Sequence, residues 1–419
     1  MNNMKYLASI LMSLAIAAGC SAFQKPDSGD DQKPIERKDI ALTKAQQGYV
    51  QAGNTFAFNL YRQVLKEQES SFMVSPLSIE YALSMLCNGA VGTTQTEILS
   101  LLGYKAGEMA DVNEFCKYLT DALYKVDNTV KLNIANALIA NTEKARLKKD
   151  YISILSTYYD ALAKGYNFST ENAAALSFIN NWAKEQTNGM IQKLLDDLSP
   201  STYAMLMNAI YFKGIWSEAI KFDTKDTKAD KFTREDKTET KVDYMNKQAE
   251  MGYAVAEGFR MVGLPYGNGA YQMVVMLPDE GKKLADVAAG LEGDSFRSIY
   301  LRHMTVKLKL PKFETENTIQ LNEVLQALGM QLAFTGSADF SAMAEDPLCV
   351  SRVFQKAKIK VDDKGSEAAA VTVIDMKETS VGPGYEPVIP VFYATRTFMY
   401  LIRETSTGAI LFMGKYDGK

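Results

Sequence analysis

The chain has 419 residues, of which 47% are hydrophobic and 23% charged, an ordinary globular composition. Its formal net charge is −4 at pH 7 and it has no dense basic stretch, which argues against nucleic acid as a partner. The length exceeds that of a typical domain. Because no linker or internal repeat divides residues 45–419, we nevertheless expect one large domain there.

The first 19 residues have the pattern of a signal peptide. Lys5 precedes an apolar run at 7–18, which is shorter than the roughly 20 residues of a membrane-spanning helix. Small residues and then Cys20 follow, as in the lipobox of bacterial lipoproteins, although Ala17 stands where Leu is more usual. This resemblance implies export, lipidation of Cys20 and anchoring in a bacterial cell envelope, at the outer membrane or cell surface. An ordinary cleaved signal, with release to the extracellular space, is the alternative.

Residues 20–44 contain few apolar residues and several Pro, Gly, Ser and Asp. This composition is typical of a flexible segment, and we expect it to tether the folded part to the lipid. Contact with a membrane is expected only through this anchor.

Three cysteines remain after Cys20. Their odd number and wide spacing do not fit a disulfide framework. We expect Cys87, Cys116 and Cys349 to be buried thiols.

The first half of the chain has the apolar spacing of helices. Ser75 is a good N-cap, and Pro76 suits the first helical position because its missing N–H is not needed there. The spacing and the end signals predict four helices: 48–65, one that starts at Pro76, one with a Thr94/Glu97 capping box that ends at Gly103, and 176–195.

The second half has the apolar runs and alternation of strands. Six strands are predicted: 203–212, 253–264, 271–277, 304–310, 357–361 and 397–402. Helices followed by strands indicate an α+β fold.

Nothing in the sequence supports an enzyme. His303 is the single histidine, and no Gly-x-Ser-x-Gly motif provides a nucleophile beside it. Zinc, calcium and phosphate-binding motifs are also absent from the sequence. We therefore expect no catalytic residues, no metal and no cofactor, and we interpret His303 as a surface or structural residue.

Several segments resemble the serpin family in family order, over roughly residues 48–416. The string NAIYFKGIW at 208–216 is the most specific of them. The others are SPLSI at 75–79 with GAVGTT at 89–94, KGSEAAA at 364–370, the region 392–402, and LFMGK at 411–415.

The resemblance implies the serpin fold: an α+β domain of three sheets and eight or nine helices, with an exposed reactive loop at about 363–390. It also implies a suicide-substrate inhibitor. A peptidase cleaves the loop, whose N-terminal part then inserts into the central sheet while the acyl-enzyme is still attached. The implied hinge of the loop comprises Gly365, Ser366, Glu367, Ala368, Ala369 and Ala370. The implied shutter and breach, where the sheet opens, comprise Ser75, Ser78, Asn208, Trp216 and Gln355.

The chain departs from the family at three of these positions. Thr395 replaces the usual Asp or Asn, and Thr397 replaces the commonest residue, Pro. Gln355 stands where many serpins have a histidine that bonds to the asparagine equivalent to Asn208. Because Gln also donates and accepts hydrogen bonds, we expect an altered shutter that still works.

The loop has the composition of an inserting strand. Its alternate residues Ser366, Ala368, Ala370, Thr372 and Ile374 are small and then apolar, and they suit the inward face. Glu367 falls on the other face, where its charge stays hydrated, whereas an inward charge would cost several kcal/mol. No bulky, charged or Pro side chain interrupts this inward set, which favours an inhibitor over a non-inhibitory serpin that acts as a binding or structural module.

Family spacing places the scissile bond between Thr379 and Ser380. A small β-branched residue in the primary pocket favours elastase-like or subtilisin-like serine peptidases, with cysteine peptidases as a further class of target. Met376 and Lys377 are the alternative reactive positions, and they suit chymotrypsin-like and trypsin-like enzymes. We expect the inhibitor to act as a monomer.

Overall fold

The computed structural model describes residues 33–366 and 389–419. In these two ranges helices predominate first and strands later, as predicted. The ranges contain nine α-helices: α1 (Lys44–Glu67), α2 (Pro76–Gly89), α3 (Gly92–Leu102), α4 (Met109–Leu123), α5 (Lys149–Tyr159), α6 (Asn172–Gln186), α7 (Leu284–Gly290), α8 (Gly293–Ser298) and α9 (Asn322–Ala327). Short 3-10 helices lie at Glu218–Ile220, Thr224–Asp226 and Leu332–Phe334.

The strands of the described ranges form three sheets. Their bounds are β1 (Phe72–Val74), β2 (Lys131–Asn141), β3 (Leu162–Tyr166), β4 (Ala204–Ile215), β5 (Lys228–Thr233), β6 (Glu239–Ala256), β7 (Phe259–Pro265), β8 (Tyr271–Pro278), β9 (Arg302–Pro311), β10 (Phe313–Gln320), β11 (Phe354–Val361), β12 (Gly365–Ser366), β13 (Val391–Tyr393), β14 (Phe398–Glu404) and β15 (Ile410–Tyr416). The nine-stranded sheet has the order β1-β15-β14-β8-β7-β6-β9-β13, with β5 paired to β6. The second sheet has the order β12-β4-β2-β3, and the third is β10-β11. Three sheets and nine helices agree with the expected architecture.

The start of α2 confirms one predicted cap and the start of α3 corrects another. Ser75 Oγ accepts a hydrogen bond from the Ser78 amide at 3.3 Å, and Pro76 occupies the first turn. The Thr94/Glu97 capping box is wrong, because α3 begins at Gly92 and has no side-chain cap. Both predicted capping side chains bind a distant segment instead: Thr94 Oγ1 accepts from Asp339 N, and the Glu97 carboxylate accepts from two amides at 331–332.

Most predicted elements differ by a few residues at their ends, and two differ more. The helix predicted at 176–195 ends at Gln186, because Asn188 and Gly189 turn the chain with positive φ angles of 49° and 80°. Ile191 and Leu195 are still buried, so their apolar spacing reflects packing rather than helix. The strand predicted at 253–264 is a hairpin of β6 and β7.

The burial of three of the four predicted Cys and His side chains agrees with the prediction, and that of Cys349 does not. Cys87 and Cys116 are buried thiols as expected. Cys349 is only partly buried, which corrects the prediction, because it lies in an irregular segment at the edge of a cavity. His303 is exposed at the start of β9, as a surface residue. In the ranges that the structure describes, no helix has both the length and the apolar character needed to cross a membrane.

The last residues of the predicted tether lie against the folded body. Residues 33–43 are irregular, and Asn128 forms hydrogen bonds with both Ile35 N and Lys33 O. Ile40 N donates to Ser406 Oγ at 2.9 Å, and the Ile40 side chain is buried. Residues 33–43, which were predicted to belong to the tether, therefore contact the folded body.

Strands β2 and β4 lie between two apolar clusters. Phe212 of β4 belongs to the main core, whereas Met207 and Ala209 pack with Ile179 and Trp182 of α6 in a second cluster. Even-numbered residues of β4 therefore face the main core, and odd-numbered residues face α6.

Candidate functional site: a gap between two strands

Strands β4 and β11 flank a gap, and their backbones do not pair with each other. They belong to separate sheets, and within the described ranges β4 pairs only with β2 and β12, while β11 pairs only with β10. After β11 the chain turns back at Asp362, which bridges to Gly365. β12 then runs antiparallel to β4, with Gly365 opposite Ile215 and Ser366 opposite Gly214. Two residues of the predicted hinge thus already occupy one end of the gap. We call this end, where β4 and β11 reach Ile215 and Val361, the upper end.

Trp216 holds this upper end together. Its indole nitrogen donates to Asp362 O at 2.8 Å, and its backbone amide donates to Lys364 O at 3.2 Å. The indole stacks on Tyr266, with ring centroids 4.7 Å apart and planes at 8°. The predicted breach residue therefore fixes the turn from which the loop departs.

Gly365 must be a glycine for the chain to enter the gap. Its φ is +139°, a region that side-chain-bearing residues rarely adopt. A Cβ at this position would lie 2.2 Å from Gly214 O and 2.7 Å from Ile215 Cα. The close approach of β12 to β4 thus depends on the missing side chain.

Two ion pairs flank the same turn. Lys312 is paired with Asp363, whose side chain is only 9% exposed. Lys360 lies 3.7 Å from Asp362. Both pairs hold the turn to β11 and to the β9–β10 connection.

Midway down the gap, the first turn of α2 connects the two sides. Gln355 of β11 accepts from Ser75 N at 2.7 Å and donates to Ser75 O at 3.2 Å. Ser75 Oγ in turn donates to Leu411 O at 2.7 Å. On the other side, Ser78 Oγ donates to Asn208 Oδ1 of β4. The four predicted shutter residues therefore meet here, but Gln355 and Asn208 contact α2 rather than each other.

The connection extends to a residue that sequence reasoning missed. Asn208 Nδ2 donates to Asn136 Oδ1 of β2 at 2.6 Å, and Asn136 Nδ2 donates to Tyr159 O at 2.8 Å. Asn136 is buried and lies directly opposite Asn208 in the ladder. The signal was a polar residue at an apolar parity of the strand, since Ile134 and Leu138 flank it.

Below this point the gap contains a cavity with a volume of about 120 Å³. Its walls are largely apolar and come from α2, β4, β11 and the segment 340–353. Ile79 and Leu83 of α2 and Leu206 of β4 belong to this lining. An unfilled apolar space forfeits the contacts that a side chain would make there, so an added strand would gain them.

The connection from α6 to β4 covers part of the gap. Lys356 Nζ of β11 donates to Lys193 O at 3.0 Å, and Leu194 lines the cavity. Asn180 of α6 fixes this connection by accepting from two amides, Leu194 N and Leu195 N. A strand that enters the lower gap must displace these contacts.

The rest of the predicted site lies outside the described residues. This applies to the hinge residues Glu367, Ala368, Ala369 and Ala370, to the reactive positions Met376, Lys377, Thr379 and Ser380, and to Cys20. Within the described ranges, no cluster of three or more His, Cys, Asp or Glu is arranged to hold a metal ion.

Comparison with known proteins supports the same architecture. The family model described as serpin (serine protease inhibitor) matches residues 51–417. Iripin-2 of Ixodes ricinus is 33% identical over 373 residues, covering 87% of this chain and 92% of that protein.

Solved serpin structures superpose on the chain over most of its length. The native state of tengpin, a thermophilic serpin, has a TM-score of 0.80 at 29% identity, covering 91% of this chain and 97% of tengpin. Human thyroxine-binding globulin has a TM-score of 0.78 at 30% identity, covering 88% of this chain and 98% of the globulin. Because the family model spans most of the chain, this protein belongs to the serpin family.

Proposed function

We propose that the protein is an irreversible suicide-substrate inhibitor of serine endopeptidases and that it performs no catalysis of its own. The observation that supports this most strongly is the gap between β4 and β11, which β12 already enters at the top. An inhibitor of this kind needs a place in the sheet for its cleaved loop. Unpaired backbone edges on both sides of the gap are ready to form a ladder with one more strand.

The register of β12 predicts where the following residues would lie after insertion. Continuing its pairing with β4 would place Ala368 opposite Phe212 and Ala370 opposite Ile210. Both partners lie on the face of β4 that packs against the main core. Small side chains would therefore enter the packed interior, as the composition of the loop predicts.

The polar residues of the loop also find suitable partners in this register. Thr372 would lie between Asn208 on β4 and Gln355 on β11, at the hydrogen-bonded joint with α2. Glu367 would lie on the outer face between Lys213 and Lys360. Opposite charges on neighbouring strands stabilise a sheet by about 0.2–1 kcal/mol per pair.

Insertion would release enough free energy to drive the trapping. Every 100 Å² of apolar surface removed from water contributes roughly 2.5 kcal/mol, and new ladder hydrogen bonds add to it. An intact protein that leaves the gap unpaired is then kinetically trapped rather than at its free-energy minimum. An intact loop is attached to the body at both ends, and cleavage would free its N-terminal part to insert.

The proposed scissile bond is Thr379–Ser380, with elastase-like or subtilisin-like serine peptidases as preferred targets and cysteine peptidases as a further class. Met376 and Lys377 remain alternative reactive positions. The proposal includes a signal peptide, lipidation at Cys20 and an envelope or extracellular location, which the sequence before Lys33 supports.

A non-inhibitory role as a binding module is the second candidate. It is favoured by the likeness to thyroxine-binding globulin, which was crystallised with thyroxine. The small, uncharged inward side chains at 366–374 favour the inhibitor instead.

A denaturing gel tests the proposal. Mature protein is mixed with equimolar pancreatic elastase, subtilisin or trypsin, and the products are identified by mass spectrometry. We expect a band at the summed mass and a released fragment that begins at Ser380. Loop cleavage without a stable complex for any of the three enzymes would contradict the inhibitor proposal and favour the binding module.

A further inference from the structure

A lysine-rich cleft lies beside the end of the reactive loop. It has a volume of about 710 Å³ and is open to solvent. Four lysines and two aspartates line it, which gives the cleft a net charge of +2. We call it the lysine cleft, defined by Lys228, Lys247, Lys307, Lys309 and Tyr393.

The charge of the cleft is only partly neutralised from within. Lys309 is paired with Asp230, and its ammonium lies 4.5 Å from the ring centroid of Tyr244. Among the residues that the structure describes, Lys228, Lys247 and Lys307 take part in no ion pair within 4 Å. Three ammonium groups are thus available to an external anion.

The floor of the cleft is the strand to which the loop returns. Lys307 N of β9 donates to Pro390 O at 2.9 Å, and β13 pairs in parallel with β9 so that Val391 lies beside Lys307 and Tyr393 beside Lys309. Because β13 is the last strand of its sheet order, it forms an edge. The lysines therefore stand directly next to the point where the loop rejoins the body.

This edge also exposes apolar side chains. Tyr393 is 44% exposed and Val391 is 40% exposed. Tyrosine is enriched at protein interfaces, and the ring centroid of Tyr393 lies 5.9 Å from the Lys309 ammonium. The exposed tyrosine and valine give the cleft contact area, and the unpaired cations give it charge complementarity to an acidic partner.

We propose that the lysine cleft is a second docking surface for the target peptidase and that it binds an acidic patch on that enzyme. The inference rests on the proposed function, because a peptidase that holds the loop must approach this end of the molecule. Ser380 precedes Pro390 by ten residues, a span of at most about 35 Å. The cleft thereby selects among peptidases that accept the same loop sequence.

Association rates test this proposal. The double variant Lys228→Glu/Lys307→Glu is compared with Lys125→Glu/Lys149→Glu. The control makes the same charge change at exposed lysines, one just after α4 and one at the start of α5. The probes are subtilisin and succinylated subtilisin, whose surface amines have been converted to carboxylates. The rate is followed by stopped-flow competition with a fluorogenic substrate.

We expect succinylation to speed association with the wild-type protein by about tenfold at low salt, through electrostatic steering. The gain should be lost in the cleft variant, kept in the control variant, and reduced in 1 M salt, where the Debye length is only about 3 Å. An equal gain in all three proteins would overturn the proposal. The proposal would also be overturned if the cleft variant kept the wild-type association rates but lost the retention of the wild-type protein on heparin–agarose. That result would favour a polyanion site.

The test separates this inference from the proposed function. Both complex formation and simple loop cleavage begin with the same encounter, so either product reports the rate. Binding of subtilisin blocked at its active-site serine is measured in parallel, which reports on the cleft even without loop cleavage. If association depends on charge but no covalent complex forms, the docking role of the lysine cleft is supported and the inhibitor function is contradicted. If a covalent complex forms at rates that do not depend on charge, the inhibitor function is supported and the docking role is contradicted.

Discussion

Glu80 is a carboxylic acid buried among helices, with 5% of its surface exposed. The Tyr104 hydroxyl donates to it, and Gly53 of α1 makes room for it, since a Cβ there would lie 2.6 Å from the carboxylate. The other titratable groups that interact with it, Tyr81 on α2 and Cys116 on α4, are neutral at physiological pH. Burial raises the pKa of Glu80 from 4.5 to about 7, against the opposing effect of the Tyr104 hydrogen bond.

This pKa predicts a loss of stability as the pH rises. The folded state binds the proton more tightly than the unfolded state, so the contribution is complete below about pH 4.5 and is lost as the pH passes 7. With about 1.4 kcal/mol per pKa unit, the free energy of unfolding should fall by roughly 3 kcal/mol. Glu80→Gln should remove this dependence in urea unfolding between pH 5 and pH 8.

The exposed residue Glu250 provides the control. Glu250→Gln should keep the pH dependence of the wild-type protein. If Glu80→Gln also kept it, the carboxyl would not be the group that titrates.

Thr379 is expected to decide which peptidase is trapped. Thr379→Arg should shift complex formation from elastase and subtilisin toward trypsin, because a guanidinium suits a primary pocket that carries a carboxylate. The measurement is the ratio of second-order inhibition rates for trypsin and elastase. If this ratio did not change, while Lys377→Ala abolished trypsin inhibition, the reactive bond would lie at the alternative position.

At the scale of elements, the entry of β12 into the gap depends on Gly365. Gly365→Ala should lower the free energy of unfolding by about 1–3 kcal/mol, because alanine is strained at this φ and its Cβ would overlap β4. Gly48→Ala is the matched control, since the added Cβ in α1 meets open space and should stabilise the helix by about 1 kcal/mol. Chemical unfolding measures both. If both substitutions changed the free energy of unfolding equally, β12 would not pack closely against β4.

The alternation of the loop provides a second test at this scale. Ala370→Arg would place a charge on the core face, opposite Ile210, whereas Ala369→Arg would place it on the outer face. Burying an unpaired charge costs several kcal/mol, so the first variant should be cleaved without forming a complex. The second variant should still form the covalent complex on a denaturing gel. Equal complex yields would mean that the inserted register is different.

The sequence predicted those elements whose signals are local. The Ser75–Pro76 helix start lies where the pattern placed it, and the strand predicted at 203–212 is β4 (Ala204–Ile215). The false capping box at Thr94 and Glu97 shows the limit, because both side chains bind segments more than 200 residues away. Tertiary partners of this kind leave no trace in local spacing.

The motifs predicted which residues belong to the site but not the contacts that these residues make. The resemblance singled out Gln355 and Asn208, but it did not reveal that both bind the first turn of α2. Asn136 left a local signal, a polar residue between Ile134 and Leu138, but its partner Asn208 follows only from strand register. The positions of Lys213 and Lys360 beside the hinge likewise depend on pairing between distant segments.

At the scale of the whole molecule, the described residues combine a packed core with an unfilled gap between β4 and β11. Strands β4 and β11 run past each other without pairing, while the sheet of β6 to β9 and β14 to β15 is continuous. If the cleaved loop inserts as proposed, the contacts that it must displace are those that cross or cover the gap. They include the α6–β4 connection and the Gln355–Ser75 bonds.

If the protein is an inhibitor of this kind, the gap between β4 and β11 accepts the cleaved loop. The most direct measurement is the unfolding temperature before and after cleavage at Thr379–Ser380, with the cut verified by mass spectrometry. Insertion that adds about 10 kcal/mol should raise this temperature by roughly 10–15 °C in a domain of this size. The cleaved Ala370→Arg variant should show no such rise. An unchanged unfolding temperature after clean cleavage of the wild-type protein would contradict the account, because the loop would then remain outside the sheet.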